Sequence, residues 1–231
     1  RLIPGLRHLS ALRKLYLAPA DVPVTGLTCI RSLPHLTSLQ VQRVADLTPL
    51  AGTGLQFLDT TDAPADAGPL SLAPLREVPK LTRVGVFSQQ VIELTALTAL
   101  SNLTELCLVL RSVDRIRELA SLTWLDFLLL SDLPEITDLR SLRWLEHPRA
   151  LWMSACPALT DLSHLSRWAD SLDNLSLVFC GSPALDGLAP LAKLQWLNLA
   201  GTPDVHLTDL PGLPELNGVT LWGGRATADL T

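Results

Sequence analysis

An apolar block of the form L-x-x-L-x-x-L-x-L recurs along the chain. It is clearest at Leu9-Leu12-Leu15-Leu17, Leu33-Leu36-Leu39-Val41, Leu100-Leu103-Leu106-Leu108, Leu191-Leu194-Leu197-Leu199 and Leu213-Leu216-Val219-Leu221. The closing L-x-L has the period of two that buries alternate side chains of a strand. Ten copies can be aligned on their third apolar position: Leu15, Leu39, Leu58, Val84, Leu106, Leu125, Leu151, Leu175, Leu197 and Val219. The spacings are 24, 19, 26, 22, 19, 26, 24, 22 and 22 residues. One such unit is too small to close a core of its own, so it must stack on its neighbours, burying its faces and pairing its strand edges.

The pattern also limits what else the chain can be. Leucine alone fills 54 of 231 positions, hydrophobic residues make up 48% and charged residues 18%, a balance incompatible with disorder. Mean hydropathy is +0.30, yet polar residues break the leucine pattern every two or three positions, so no run of 18 apolar residues exists and no membrane span is expected. A net charge of -5 with basic residues scattered singly offers no clustered cations for a polyphosphate, which disfavours nucleic acid as the partner.

The segments between blocks carry a second motif. Leu159-Thr160-Asp161-Leu162-Ser163-His164-Leu165, Val44-Ala45-Asp46-Leu47-Thr48-Pro49-Leu50 and Leu185-Asp186-Gly187-Leu188-Ala189-Pro190-Leu191 resemble the I-x-D-L-x-P-L outer segment of leucine-rich repeats of the internalin-like and phosphatase-regulator-like subclass. The resemblance covers nearly the whole chain and implies an α/β repeat. The expected form is a solenoid, horseshoe or arc, whose concave parallel sheet of about ten strands is backed by 3₁₀ turns, short helices or loops. Residues 1–231 are read as one repeat domain. The run Ala155-Cys156-Pro157-Ala158-Leu159-Thr160-Asp161-Leu162, in a chain rich in Leu, Arg and Trp with only three Lys, also resembles the C-terminal repeats of bacterial NACHT-type NTPases, relatives of the NLR immune sensors.

Two stretches break the period. Residues 59–74 are rich in Asp, Ala and Pro and read as a longer outer loop, and residues 131–148 carry the extra block Trp144-Leu145-Glu146-His147-Pro148. The chain opens at Arg1 inside a repeat and stops soon after the tenth strand, with no polar capping unit, so it is read as an excerpt of a larger protein whose preceding domains could contact it. Four cysteines, Cys29, Cys107, Cys156 and Cys180, form no C-x-x-C pair, which points to reduced thiols and a cytoplasmic setting. Cys156 and Cys180 share the position five residues past the marker, where the resemblance places an asparagine ladder that this chain, with Gln89 and Thr202 at other copies, largely lacks.

No catalytic motif is present: G-x-S-x-G, H-E-x-x-H, the P-loop and G-x-G-x-x-G are all missing. The histidines His8, His35, His147, His164 and His206 occupy unrelated repeat positions, so neither a metal site nor a triad is implied. Asp59, Asp62 and Asp66 before Gly68 lack the alternating spacing of a calcium loop. No catalytic residue, metal or cofactor is assigned.

Function is therefore sought on the outward sheet positions, which fall one before, one after and three after each marker. They hold Tyr16, Phe57, Phe87, Trp124, Trp152, Trp196 and Trp222, seven of eleven aromatic residues. Strands favour aromatics, but rings exposed in such number on one face mark a binding surface. Charged neighbours Asp59, Arg83, Glu105 and Asp126 would set orientation and partner choice. The expected function is a protein-binding module without enzymatic activity. The NACHT resemblance implies the ligand-sensing, autoinhibitory repeats of an NLR-like NTPase in antiviral defence, and the internalin and phosphatase-regulator resemblance implies an adhesin or a scaffold.

Overall fold

In the computed structural model, residues 6–18, 27–61, 68–87, 90–203, 205 and 207–221 are described. They divide into two compact units, Arg1–Val109 and Leu110–Thr231. In the first unit the strands β1 (Lys14–Leu17), β2 (Ser38–Gln42), β3 (Phe57–Thr61), β5 (Arg83–Val86) and β7 (Glu105–Val109) lie side by side in that order, all parallel. The second unit repeats the arrangement with β8 (Phe127–Ser131), β9 (Ala150–Ser154), β10 (Asn174–Val178), β11 (Trp196–Asn198) and β12 (Gly218–Thr220). A second, two-stranded sheet, β4 (Leu70–Ser71) with β6 (Val91–Ile92), lies in the return segments of the first unit.

The markers align in register, so that Leu39 faces Leu58, Leu58 faces Val84, Val84 faces Leu106 and Leu151 faces Leu175. All six side chains are closed to solvent, as the alternation of inward and outward positions requires. The end strands are looser: Val219 on β12 remains 38% exposed, with one strand neighbour among the described residues. At the sixth repeat the structure corrects the sequence reading, because Leu128 and not Leu125 pairs with Leu151. The spacings there become 22 and 23 residues instead of 19 and 26, and the apparent insertion at residues 144–148 disappears.

Five strands, β2, β8, β9, β10 and β11, are followed by a left-handed residue four positions past the marker, and β7 by one five past it, Arg111 at φ 61°. Arg43, Asp132, Ala155, Phe179 and Gly201 have φ of 55°, 63°, 53°, 52° and 69°. Their strain is offset by the ladder, since the N–H groups of Arg43, Asp132, Ala155 and Phe179 donate to the next repeat at Thr61, Ser154, Val178 and Ala200. The D-L motif then earns its place: Asp46, Asp138 and Asp161 accept from the N–H two residues on, each at 2.8 Å, and open the 3₁₀ turns Thr48–Leu50, Arg140–Leu142 and Ser163–Trp168. Inside the second unit, Thr202 Oγ1 donates to the Leu177 carbonyl at 2.8 Å and the Cys180 thiol points to the Met153 carbonyl at 3.6 Å. Small side chains thus reach back to the preceding strand where the resemblance implies asparagine. Cys156 and Cys180 are buried free thiols, and contact with Cys156 together with burial pushes the Cys180 thiol up. No helix among the described residues is long and apolar enough to cross a membrane.

Candidate binding face of the sheet

In the first unit, neighbouring strands bring Phe57, Asp59, Arg83, Phe87 and Glu105 together on the outward face. Arg83 is shared between two carboxylates, with Nε and Nη2 at 3.3 and 3.4 Å from Asp59 and Nη1 at 2.8 Å from Glu105. Its guanidinium stands 5.0 Å above the Phe57 ring. Gly85 makes the cluster possible, since a Cβ there would run into the Asp59 carboxylate and approach the Phe87 ring to 2.7 Å. The result is that Asp59, although outward-facing, is only 3% exposed. Burial lifts its carboxyl above the ordinary range, and the Arg83 contact acts in the opposite direction.

This cluster is ionic. The adjacent Cys107 thiol is pushed up to about 12 by burial, so it is no nucleophile at neutral pH. Among the described residues, no group of three or more His, Cys, Asp or Glu side chains is placed to hold a metal ion.

In the second unit the outward face is aromatic. Trp152 meets Phe127 edge-on, with ring centroids 5.0 Å apart and planes at 70°, and its Nε1 donates to Asn174 Oδ1 at 2.9 Å. Those two contacts fix the indole, yet Trp152 keeps 37% of its surface exposed. Trp196 is 55% exposed and lies against Gly218 of the next strand, where only a residue without a side chain leaves room for the ring. Tyr16, at the far end of the first unit, is exposed and accepts a hydrogen bond from Gln42 at 3.0 Å.

The shifted register displaces two expected site residues. Trp124 and Asp126 precede β8 in the turn that leads into it, and do not stand on the strand. Both are exposed, and the Asp126 carbonyl accepts the Arg149 and Ala150 N–H groups at 2.8 and 2.9 Å. Trp222 lies outside the described residues. The sequence reading missed Phe127 and Leu129, which the corrected frame places on the outward face, and did not single out Asn174, one before the marker Leu175. The signal for the first two was present: Leu122-Leu125-Leu128-Leu130 is a complete copy of the block that restores an even spacing.

No protein-family model matches the chain, and no curated protein matches it. Solved structures do. An internalin (inlF) from Listeria monocytogenes is 21% identical, with a TM-score of 0.58 over 89% of this chain and 66% of its own. An internalin C2 (inlC2) from the same organism is 22% identical, with a TM-score of 0.49 over 87% and 78%. TLR13 in its complex with ssRNA13 is 16% identical, with a TM-score of 0.50 over 92% of this chain and 43% of its own. The chain therefore spans just under two thirds of the inlF structure and less than half of the TLR13 structure. At these identities the likeness shows the leucine-rich-repeat fold and nothing finer.

Proposed function

We propose that this leucine-rich-repeat chain is a protein-interaction module that binds its partner on the outward face of the sheet and catalyses no reaction. The observation that carries the reading is the pair of exposed indoles, Trp152 and Trp196, held on strands by neighbours that leave much of each ring open. Large apolar rings already fixed in place lose little entropy on binding, which is why such residues dominate interface energetics. A protein is favoured over a nucleic acid such as the RNA in the TLR13 complex, because the second unit, Leu110–Thr231, has nine basic against fifteen acidic residues, a net of −6.

Within that reading, the ligand-sensing repeats of an NLR-like NACHT NTPase rest on the sequence resemblance of residues 155–162, and a cytoplasmic setting on four free thiols. The likeness to internalins favours a second reading, a surface adhesin. Fractionation of the native protein between cytosol and cell surface separates the two.

The test of the binding face compares Trp152→Ala and Trp196→Ala with Leu197→Ala, whose side chain is 1% exposed. Leu197→Ala is expected to cost about 2–5 kcal/mol of stability by leaving a cavity. The Trp variants should cost no more than about 1 kcal/mol. A protein retained by the native chain in differential capture should be lost by the Trp double variant. Trp variants that melt as early as Leu197→Ala, or that retain every captured protein, refute the reading.

A further inference from the structure

The strands that carry the exposed indoles of the second unit are entered by segments with an excess of negative charge. Five residues lead into each strand there. Between them these segments hold Asp126, Glu146, Asp170, Asp173 and Glu215, against only Arg149 and Lys193. Both cations are already engaged: Arg149 reaches Asp173 Oδ2 from Nε and Nη2 at 3.1 and 2.7 Å, and Lys193 Nζ donates to the Asp170 carbonyl at 2.8 Å. The corresponding segments of the first unit have the opposite balance, with Arg13 and Lys80 and no carboxylate. The acidity is therefore specific to the segments that lead into the aromatic strands. It is also one-sided, because the five residues after each of these strands hold only the carboxylates Asp132 and Glu135, and Asp132 is paired with Arg111 at 3.5 Å.

We infer that the β8–β11 face takes an extended cationic segment of a partner protein, arginine-rich rather than lysine-rich. A guanidinium stacks on an indole while donating in its own plane to a carboxylate, and the second unit has carboxylates at the positions just before its aromatic strands. The Asp126 carboxylate precedes Phe127 in sequence, and Asp173 precedes Asn174, the residue that holds the Trp152 indole. An ammonium, compact and strongly hydrated, gains less from the rings. An acidic or phosphorylated segment meets like charge along the whole edge. The inference rests on the proposed binding face and adds the chemistry of what occupies it.

The test titrates the full chain with a synthetic peptide of alternating Gly and Arg, and with its Lys and Glu counterparts, by calorimetry and tryptophan fluorescence. The Arg peptide is expected to bind about tenfold or more tighter than the Lys peptide, with a change in indole emission and an affinity that falls as salt is raised. The Glu peptide is expected not to bind. Asp126→Asn with Asp173→Asn should weaken Arg-peptide binding about tenfold or more, as should Trp196→Ala, without lowering the melting temperature appreciably. Asp186→Asn changes the net charge on the outer turn Leu185–Leu188 and should leave binding unaltered.

Equal loss with Asp186→Asn, or equal binding of Arg and Glu peptides, overturns the inference. So does self-association of the chain at low salt that Asp126→Asn with Asp173→Asn abolishes, because the occupant is then the basic edge of a second copy. If the Arg peptide fails while the Trp double variant still loses a captured protein, only the cationic partner is wrong. If the Trp variants change neither, the binding face itself is wrong.

Discussion

Replacing Gly181 by alanine should damage the second unit, and replacing Gly54 by alanine should not. Gly181 follows Cys180 in the buried turn after β10, and its N–H donates to the Cys156 carbonyl at 3.1 Å. That bond draws the backbone so close to the preceding repeat that a Cβ would lie 2.6 Å from the Pro157 oxygen and 2.7 Å from the Leu159 oxygen. Nonbonded heavy atoms prefer a separation of about 3.5 Å or more, so each contact is too short by roughly 0.8 Å. Both obstacles are main chain and cannot swing away as a side-chain tip would. Overpacking of this kind costs about 1–3 kcal/mol. For a cooperative unit of roughly 120 residues this corresponds to a drop of about 4–12 °C in Tm. At Gly54 the added Cβ meets nothing within 4 Å and φ is not left-handed, so the restricted unfolded chain should make Gly54→Ala neutral or more stable by about 0.4–1 kcal/mol. Thermal and urea denaturation followed by circular dichroism measure both. If Gly181→Ala melts within about 1 °C of the native chain, or Gly54→Ala loses as much as Gly181→Ala, the argument from repeat spacing is refuted.

Two further outcomes follow from titratable groups partly or wholly removed from solvent. Burial, followed by the charge of Arg167, holds the His164 imidazole below its usual range, so its folded pKa lies under 6.5. The unfolded chain then binds the proton more readily, and the stability linked to His164 is complete above about pH 6.5 and declines as pH falls through the folded value. A Tm-against-pH curve for His164→Asn should flatten in that window relative to the native chain, and parallel curves would exclude this origin. Cys156 and Cys180 are buried free thiols, so native alkylation should spare both and denaturant should expose both to labelling. A mass corresponding to a crosslink between them would contradict it.

The repeat, its length and most of its core were legible because leucine spacing encodes them directly. The sixth repeat was not, for a reason the residues make plain. Leu119, Leu122, Leu125 and Leu128 are evenly spaced by three, so sliding the block one triplet still lands leucine on leucine. Only the pairing of Leu128 with Leu151 removes the ambiguity, and pairing is a property of stacked repeats. The same limit hid the burial of Asp59. Alternation correctly assigns it to the outward face, but the arginine that covers it lies 24 positions away and the glycine that admits it is on another strand. The position of Trp196 against Gly218 has the same origin. Cys156 and Cys180, by contrast, could be matched in advance because both count from well-placed markers.

The pairing within the second unit also sets a gradient in time. β9 shares five register positions with β8 and five with β10, whereas β11 shares three with β10 and three with β12. Where fewer main-chain hydrogen bonds must break together, opening is easier, so amide hydrogen exchange should be slowest at β9 and quicken toward β12. Trp196 stands on the fast side of that gradient. A partner that grips its ring would therefore clamp the loosest part of the unit, and the occupancy of the face would be readable as slowed exchange at the β11 amides before any other signal of binding.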